Sequence, residues 1–273
     1  MNFVCFNGEL VPSNQPVFTV ANRGFKYGDG VFETIKVHQG TIPFAALHFE
    51  RLFLSLQLLK IKSSFDAEQI TEAILHLCEK NDCTDLARVR LAVYRDRDNL
   101  SAFVIEAVPL SKDANDWNDK GFITDLYPYA RKSKDAIANL KTANFLAYVL
   151  ADLYAKDNGF DDCMVLNSDN HICDSSKANI FLIKKNEVFT PALHQGCING
   201  VMRRFLIDGL KKLDFKIHQV EVTEEDLVNA DEIFLTNAIY GMRWVQSFKN
   251  SRYINTISKA IYRQLLFPVY ELK

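Results

Sequence analysis

The sequence has no excess of either charge. Against 32 Lys and Arg stand 34 Asp and Glu, a formal net charge of −2 over 273 residues. Without a basic excess there is no electrostatic footprint for nucleic acid. No apolar run reaches the roughly 20 residues that a membrane-crossing helix needs, and "MNFVCFNGEL" has no basic segment followed by an apolar one. Neither a membrane partner nor a signal peptide is therefore expected. The six cysteines (Cys5, Cys78, Cys83, Cys163, Cys173 and Cys197) include no C-x-x-C pair and mostly sit in apolar segments, where free cysteine is a small hydrophobe. Reduced thiols and a cytoplasmic location are expected. Six histidines show no metal-ligand spacing, so no metal is expected, and His38, His76, His171, His194 and His218 read as core or surface residues. There is no G-x-S-x-G, H-E-x-x-H or P-loop. "GDGVFE" approaches the dinucleotide fingerprint, but Glu33 stands at its third glycine and a β-branched run follows instead of a helix. That argues against a Rossmann site. Internal repeats and low-complexity tracts are absent too.

What is present reads as short elements in runs. "FVCFNGELV" is strand, turn, strand, and "VFETIKVHQGTIP" is a hairpin turning at Gln39-Gly40. In "AALHFERLFLSLQLLKI", Phe49, Leu52, Phe53, Leu56 and Leu59 fall at helical spacing, with His48, Arg51 and Ser55 on the polar side. A second helix starts at an Asp66 cap, and two strands follow. The polar stretch around "SKDANDWNDKG" marks a linker. Beyond it lie a strand, a helix "NFLAYVLADLYAKDNG", a strand meander, a helix "NGVMRRFLIDGLKKL", a short helix capped by Thr223, a strand pair and a closing helix from about Asn255. Strands that arrive in runs predict an α+β chain. The expected division is a small domain over 1–112, a linker over 113–121 and a larger domain over 122–273.

Four stretches could carry chemistry. Lys141 in "NLKTANFLAYVLA" sits where an extended segment meets an apolar helix. Desolvation there would free its amine as a nucleophile, although a snorkelling lysine is the commoner use of such a position. Asp174 in "HICDSSKANIF" could hold a heterocyclic nitrogen protonated, or simply make an Asx turn. Asn199-Gly200 opens a helix whose first N–H groups could meet an anion, or is an ordinary cap. "FLTNAIYGM" offers further backbone donors at a strand end. Arg51 could clamp the same anion, or be a solvated surface arginine.

The order of these stretches is more telling than any one of them. "RGFKYGDGVFETI", "LHFERL", "LKTANFL", a carboxylate five residues before "NIF", "NGVMR" and "FLTNA" form one series from about Phe6 to Val245. The series resembles the fold-type IV pyridoxal-phosphate enzymes, which include branched-chain and D-amino-acid aminotransferases and aminodeoxychorismate lyase. The resemblance implies a small N-terminal α/β domain and a larger, mixed, barrel-like C-terminal domain, with pyridoxal 5′-phosphate as cofactor. It implies a homodimer with the site near the subunit interface. It makes Lys141 the lysine that carries the cofactor, Arg51 a phosphate ligand and Asp174 the partner of the pyridine nitrogen. The amides of Val201 and Met202 would cap the phosphate, with further donors around Ala238 and Ile239. The corner containing Tyr27 and Glu33 would border the substrate.

This sequence departs from the family at three places. Aspartate stands at 174 where glutamate is usual, Asn237-Ala238 replaces a threonine-bearing turn, and Phe145 replaces a tyrosine. "GCINGVMRRF" and "TNAIYGM" are most similar to the lyase. The expected reaction is elimination of pyruvate from 4-amino-4-deoxychorismate to give 4-aminobenzoate. An aminotransferase is the alternative, and a non-catalytic scaffold a more distant one. Candidates for the substrate carboxylates are Arg90, Arg95 and Arg97, although Asp96 and Asp98 could pair with the last two instead.

Overall fold

The computed structural model describes residues 2–271. Chain contacts divide it into two units. One runs to Ala114 and takes back Leu140–Asn144, while the other holds Asn115–Asn139 and everything from Phe145. The short excursion matters because it carries Lys141 into the first unit, whereas the sequence had suggested that all residues beyond 122 lie in the second.

The first unit is a five-stranded antiparallel sheet with helices on one face. Its strands are β1 (Phe3–Phe6), β2 (Glu9–Pro12), β3 (Gly30–His38), β4 (Leu86–Arg95) and β5 (Ser101–Pro109), in the order β2-β1-β5-β4-β3. Alternation along β3 and β4 turns Val31, Ile35, Val37, Val89, Leu91 and Val93 inward. They meet Phe49, Leu52 and Leu56 of α2 (Ala45–Leu58) and Ile70, Ile74 and Leu77 of α3 (Ala67–Lys80). Burial of each such side chain is worth roughly 1.5–3 kcal/mol. Asp66 closes a capping box with Gln69 at the start of α3. Arg23–Tyr27 folds as a short helix, α1, which the sequence did not suggest. The expected hairpin at Gln39-Gly40 is reduced to one bridge, His38 to Thr41. Pro43 soon follows, without an N–H to continue a ladder, and β3 pairs along its whole length with β4 instead.

The second unit holds the remaining sheet. Its strands are β6 (Phe122–Lys132), β7 (Asp162–Asn167), β8 (Ile172–Ser175), β9 (Asn179–Lys184), β10 (Glu187–Pro191), β11 (Ile217–Val220), β12 (Glu232–Asn237), β13 (Gly241–Phe248) and β14 (Ser251–Arg252). Eight run in the order β11-β10-β9-β12-β13-β6-β7-β8, and β14 pairs with β13. Ladders are parallel at β10–β11, β13–β6 and β6–β7 and antiparallel elsewhere. Pro128 falls inside β6, where the register to β7 shifts between Leu126 and Arg131. The helices are α4 (Leu146–Asp157), α5 (Val201–Lys212), α6 (Glu224–Val228), α7 (Thr256–Ile261) and α8 (Phe267–Glu271), and Thr223 caps α6 as expected.

Candidate active site

Lys141 does not sit at a helix start. Residues 141–143 add to the free edge of β3: Phe32 N–H donates to the Lys141 carbonyl (2.9 Å), Ala143 N–H donates to the Gly30 carbonyl (2.9 Å), and Val31 bridges Thr142. This register puts Lys141 beside Phe32, and its Nζ lies 4.4 Å from the Phe32 ring centroid. The glycine corner and "LKTAN" are therefore one construction. Gly28 has φ +63°, and a Cβ there would meet Asn144 Oδ1 at 2.6 Å. The Asn144 amide in turn donates to the Gly28 carbonyl (3.1 Å). Gly30 is equally constrained, because a Cβ would stand 2.4 Å from the Val93 carbonyl. Gly28 lets the corner pack against the segment that presents Lys141, and Gly30 lets it pack against β4.

Two arginines have partners that the sequence did not suggest. Arg51 donates from Nε to Glu33 Oε1 (2.7 Å) and from Nη2 to Glu33 Oε2 (2.5 Å), and His48 Nδ1 lies 2.7 Å from the same Oε2. All three residues are buried. The polar side of α2 thus faces β3 rather than water. Burial alone would raise the Glu33 carboxyl, but Arg51 and then His48 outweigh it and hold the pKa at about 2. Glu33 points to the core side of the sheet, with both oxygens engaged, which corrects its expected place against the substrate. Arg95 is corrected likewise. It holds Asp29 through Nε (2.9 Å) and Nη2 (3.2 Å) and the carbonyls of Lys60 and Leu59, which fastens the corner rather than binding a ligand. Its partner is Asp29, not the neighbouring Asp96 or Asp98. Arg97 lines a hollow of about 450 Å³ with Phe6, Phe18 and Tyr94. Tyr27 is exposed, with the Arg23 guanidinium 5.2 Å above its ring. Arg90 Cζ lies 4.9 Å from the same Phe32 ring, reached from β4.

In the second unit Asp174 is the centre. It is fully buried on β8 and accepts four donors. Tyr148 Oη (2.6 Å), the Ile198 amide (3.0 Å) and Lys132 Nζ (3.5 Å) meet Oδ2, while Asn179 Nδ2 (2.7 Å) meets Oδ1. Burial raises its pKa against the opposing pull of Lys132 and Tyr148. Burial, and then Asp174 itself, raises the Tyr148 phenol well above its ordinary value, so Tyr148 is the proton donor of that pair. Lys132, Tyr148 and Asn179 were missed in the sequence. Tyr148 lies on the helix just after Lys141 and Asn179 lies in "NIF", but nothing local marks either as a partner of Asp174.

Asn179 also donates to the Ile198 carbonyl (2.8 Å) and stands against Gly200, where a Cβ would fall 1.9 Å from Asn179 Oδ1. One side chain therefore links the buried carboxylate to the start of α5. Gly200 caps that helix without a side-chain bond, and the first-turn amides of Val201 and Met202 have no acceptor within the helix. The Asn237 turn closes on itself: Asn237 Oδ1 accepts the amides of Ile239 (2.9 Å) and Tyr240 (3.1 Å). This corrects the expectation at Ile239, whose N–H is already engaged, and leaves Ala238 as the donor to consider there.

These features fit a phosphorylated pyridine aldehyde. An extended edge presents an amine, and a buried carboxylate has one oxygen with a single donor among the described residues. An anion cradle sits one side chain from that carboxylate, and at its mouth only glycine fits. The aminotransferase class IV family model matches residues 30–248. The chain belongs to the aminotransferase class IV family. Pyridoxal 5′-phosphate is the cofactor of this class. Among its relatives, an Aquifex aeolicus protein named "Probable branched-chain-amino-acid aminotransferase" is 26% identical over 99% of this chain and 98% of its own. The aminodeoxychorismate lyase of Bacillus subtilis is 28% identical over 85% and 82%. The branched-chain aminotransferase of Thermoproteus uzoniensis, solved with norvaline, superposes with a TM-score of 0.88 at 21% identity, covering 98% of this chain and 95% of that one. That likeness establishes the fold-type IV architecture, a mixed α+β chain whose larger sheet curls as a half barrel.

Proposed function

We propose that this class IV enzyme is a 4-amino-4-deoxychorismate lyase, releasing pyruvate and 4-aminobenzoate. The observation that carries the reading is the Asn237-Ala238 turn. It has no threonine hydroxyl to offer a phosphate, and its asparagine ties up the following amides, a construction akin to the lyase-like "TNAIYGM" rather than to the aminotransferase turn. The B. subtilis lyase among the relatives supports it. The A. aeolicus relative, matched over nearly its whole length, favours the aminotransferase as the second reading.

When bound, the cofactor supplies an electron-withdrawing ring that stabilises negative charge on the amine-bearing carbon. Each residue then has a defined task. Lys141 Nζ would hold the cofactor covalently, and as a free amine it would take the proton from the amine-bearing carbon. Asp174, oriented by Tyr148, Asn179 and the Ile198 amide, would accept from the ring nitrogen. The amides of Val201 and Met202, with Ala238, would meet the phosphate. Arg51, oriented by its two bonds to Glu33, would lend its positive charge to the phosphate. Arg90, beside Phe32, would meet a substrate carboxylate. The enzyme is expected to act as a cytoplasmic homodimer, and the exposed apolar stripe Leu146, Val149, Leu150 and Leu153 of α4 supports self-association.

The test is turnover without a co-substrate. Purified enzyme given aminodeoxychorismate alone should release many pyruvates per active site, one 4-aminobenzoate accompanying each. Inertness toward that substrate, with rapid conversion of an amino acid once 2-oxoglutarate is added, would establish the aminotransferase instead.

A further inference from the structure

Strands β3 and β4 place several cations on the face of the sheet where Lys141 emerges. Val31, Ile35, Val89 and Leu91 turn to the core, so Phe32, Thr34, Lys36, Arg88 and Arg90 turn the other way. The antiparallel register sets Lys36 opposite Arg88 and Thr34 opposite Arg90. Lys141 Nζ and Arg90 Cζ lie 4.4 and 4.9 Å from the same Phe32 ring centroid. Lys36 is buried to 2% exposure. Glu106 is the one carboxylate that β3, β4 and β5 bring to this face. It stands 3.8 Å from Arg90 in an exposed pair. Arg88 is opposite Val108 on its other side and, among the described residues, has no ion-pair partner.

We infer that Arg90 and Arg88 form a two-point receptor for a substrate bearing two carboxylates. The two arginines are alternate residues of one strand, about 7 Å apart along it, a spacing that the carboxylates of a compact cyclic diacid can span. The inference rests on the reading above, since it takes Lys141 as the reacting amine, and it deepens that reading: aminodeoxychorismate carries two carboxylates, whereas a branched-chain amino acid carries one and an apolar tail. Arg88 is thereby a specificity-determining residue.

The test uses the cofactor-loaded enzyme and two unreactive probes, benzene-1,3-dicarboxylate and benzoate, titrated by calorimetry. The diacid should bind about ten-fold or more tightly than benzoate, as one further charge-assisted contact allows. Arg88→Gln, at an exposed position that leaves the core intact, should erase that advantage and leave benzoate affinity unchanged. Arg90→Gln should weaken both probes. Equal binding of the two acids by the wild-type enzyme, or an Arg88→Gln variant that keeps the diacid preference, would overturn the receptor. Its failure and that of the lyase reading are separable. A diacid preference without pyruvate release leaves the receptor standing and removes the lyase. Pyruvate release with no diacid preference, and with an unchanged KM for aminodeoxychorismate in Arg88→Gln, does the reverse.

Discussion

Glu33→Gln puts the buried cluster of the first unit to a quantitative test. Glu33 holds Arg51 through two bonds of 2.7 and 2.5 Å and His48 at 2.7 Å, in a setting where Glu33 is 2% exposed. Its carboxyl is depressed from an ordinary 4.5 to about 2, which corresponds to roughly 3 kcal/mol of stabilisation at neutral pH. Removing one partner of a buried pair costs about 3–5 kcal/mol by an independent route, because Arg51 keeps its charge. The two figures agree, and glutamine, which preserves the shape and one acceptor, should fall at the lower end. The sign with pH follows from the depressed value. The stabilisation is fully present above about 4.5 and is lost as pH falls toward 2, so Glu33→Gln should flatten the acid limb of stability by one proton in that window. Both tryptophans, Trp117 and Trp244, lie in the second unit, so their fluorescence is a poor reporter here. Urea unfolding by far-UV circular dichroism, with hydrogen exchange at the amides of β3 and α2, reads the first unit directly. A loss of under about 0.5 kcal/mol, together with a raised KM, would return Glu33 to the substrate side and refute the reasoning.

Asp174→Asn should retain the cofactor yet slow α-proton exchange in a bound substrate by an order of magnitude or more, because the ring nitrogen loses its ionised partner; exchange at the wild-type rate would remove Asp174 from that role. Lys132→Met removes the cation that opposes the burial of Asp174, so the Asp174 carboxyl should titrate higher still, as carboxyl infrared bands of the cofactor-free protein would show. An unmoved band would mean that Lys132 does not act on it. Gly200→Ala places a Cβ 1.9 Å from Asn179 Oδ1; Asn179 must yield, and cofactor affinity by equilibrium dialysis should fall at least ten-fold with the fold intact. An unchanged affinity would separate the start of α5 from the phosphate.

The sequence made the elements of both units readable where periodicity was strong. Phe49, Leu52 and Leu56 do face the core, and Asp66 and Thr223 do cap their helices. It misled where a residue's partner lies far along the chain. His48, Arg51 and Ser55 read only as the polar side of α2, because polarity alone does not reveal a buried glutamate 18 residues upstream of Arg51. Arg95 read as a neighbour of Asp96 and Asp98, yet its partner Asp29 stands across a corner whose geometry the two glycines set. The Asn237 turn was legible as a set of backbone donors, but not that its own side chain would occupy the Ile239 amide. Tyr148 and Lys132 were invisible for the same reason. The bulge at Pro128 and the turn of α4 that bring them to Asp174 leave no local signature.

Lys141, as the residue that would carry the cofactor, is the group on which the proposed chemistry turns. Borohydride reduction of the cofactor-loaded enzyme, followed by proteolysis and peptide mass mapping, should place a single phosphopyridoxyl adduct on the peptide containing Lys141. An adduct on Lys132, Lys36 or any other lysine, with Lys141 unmodified, would contradict it.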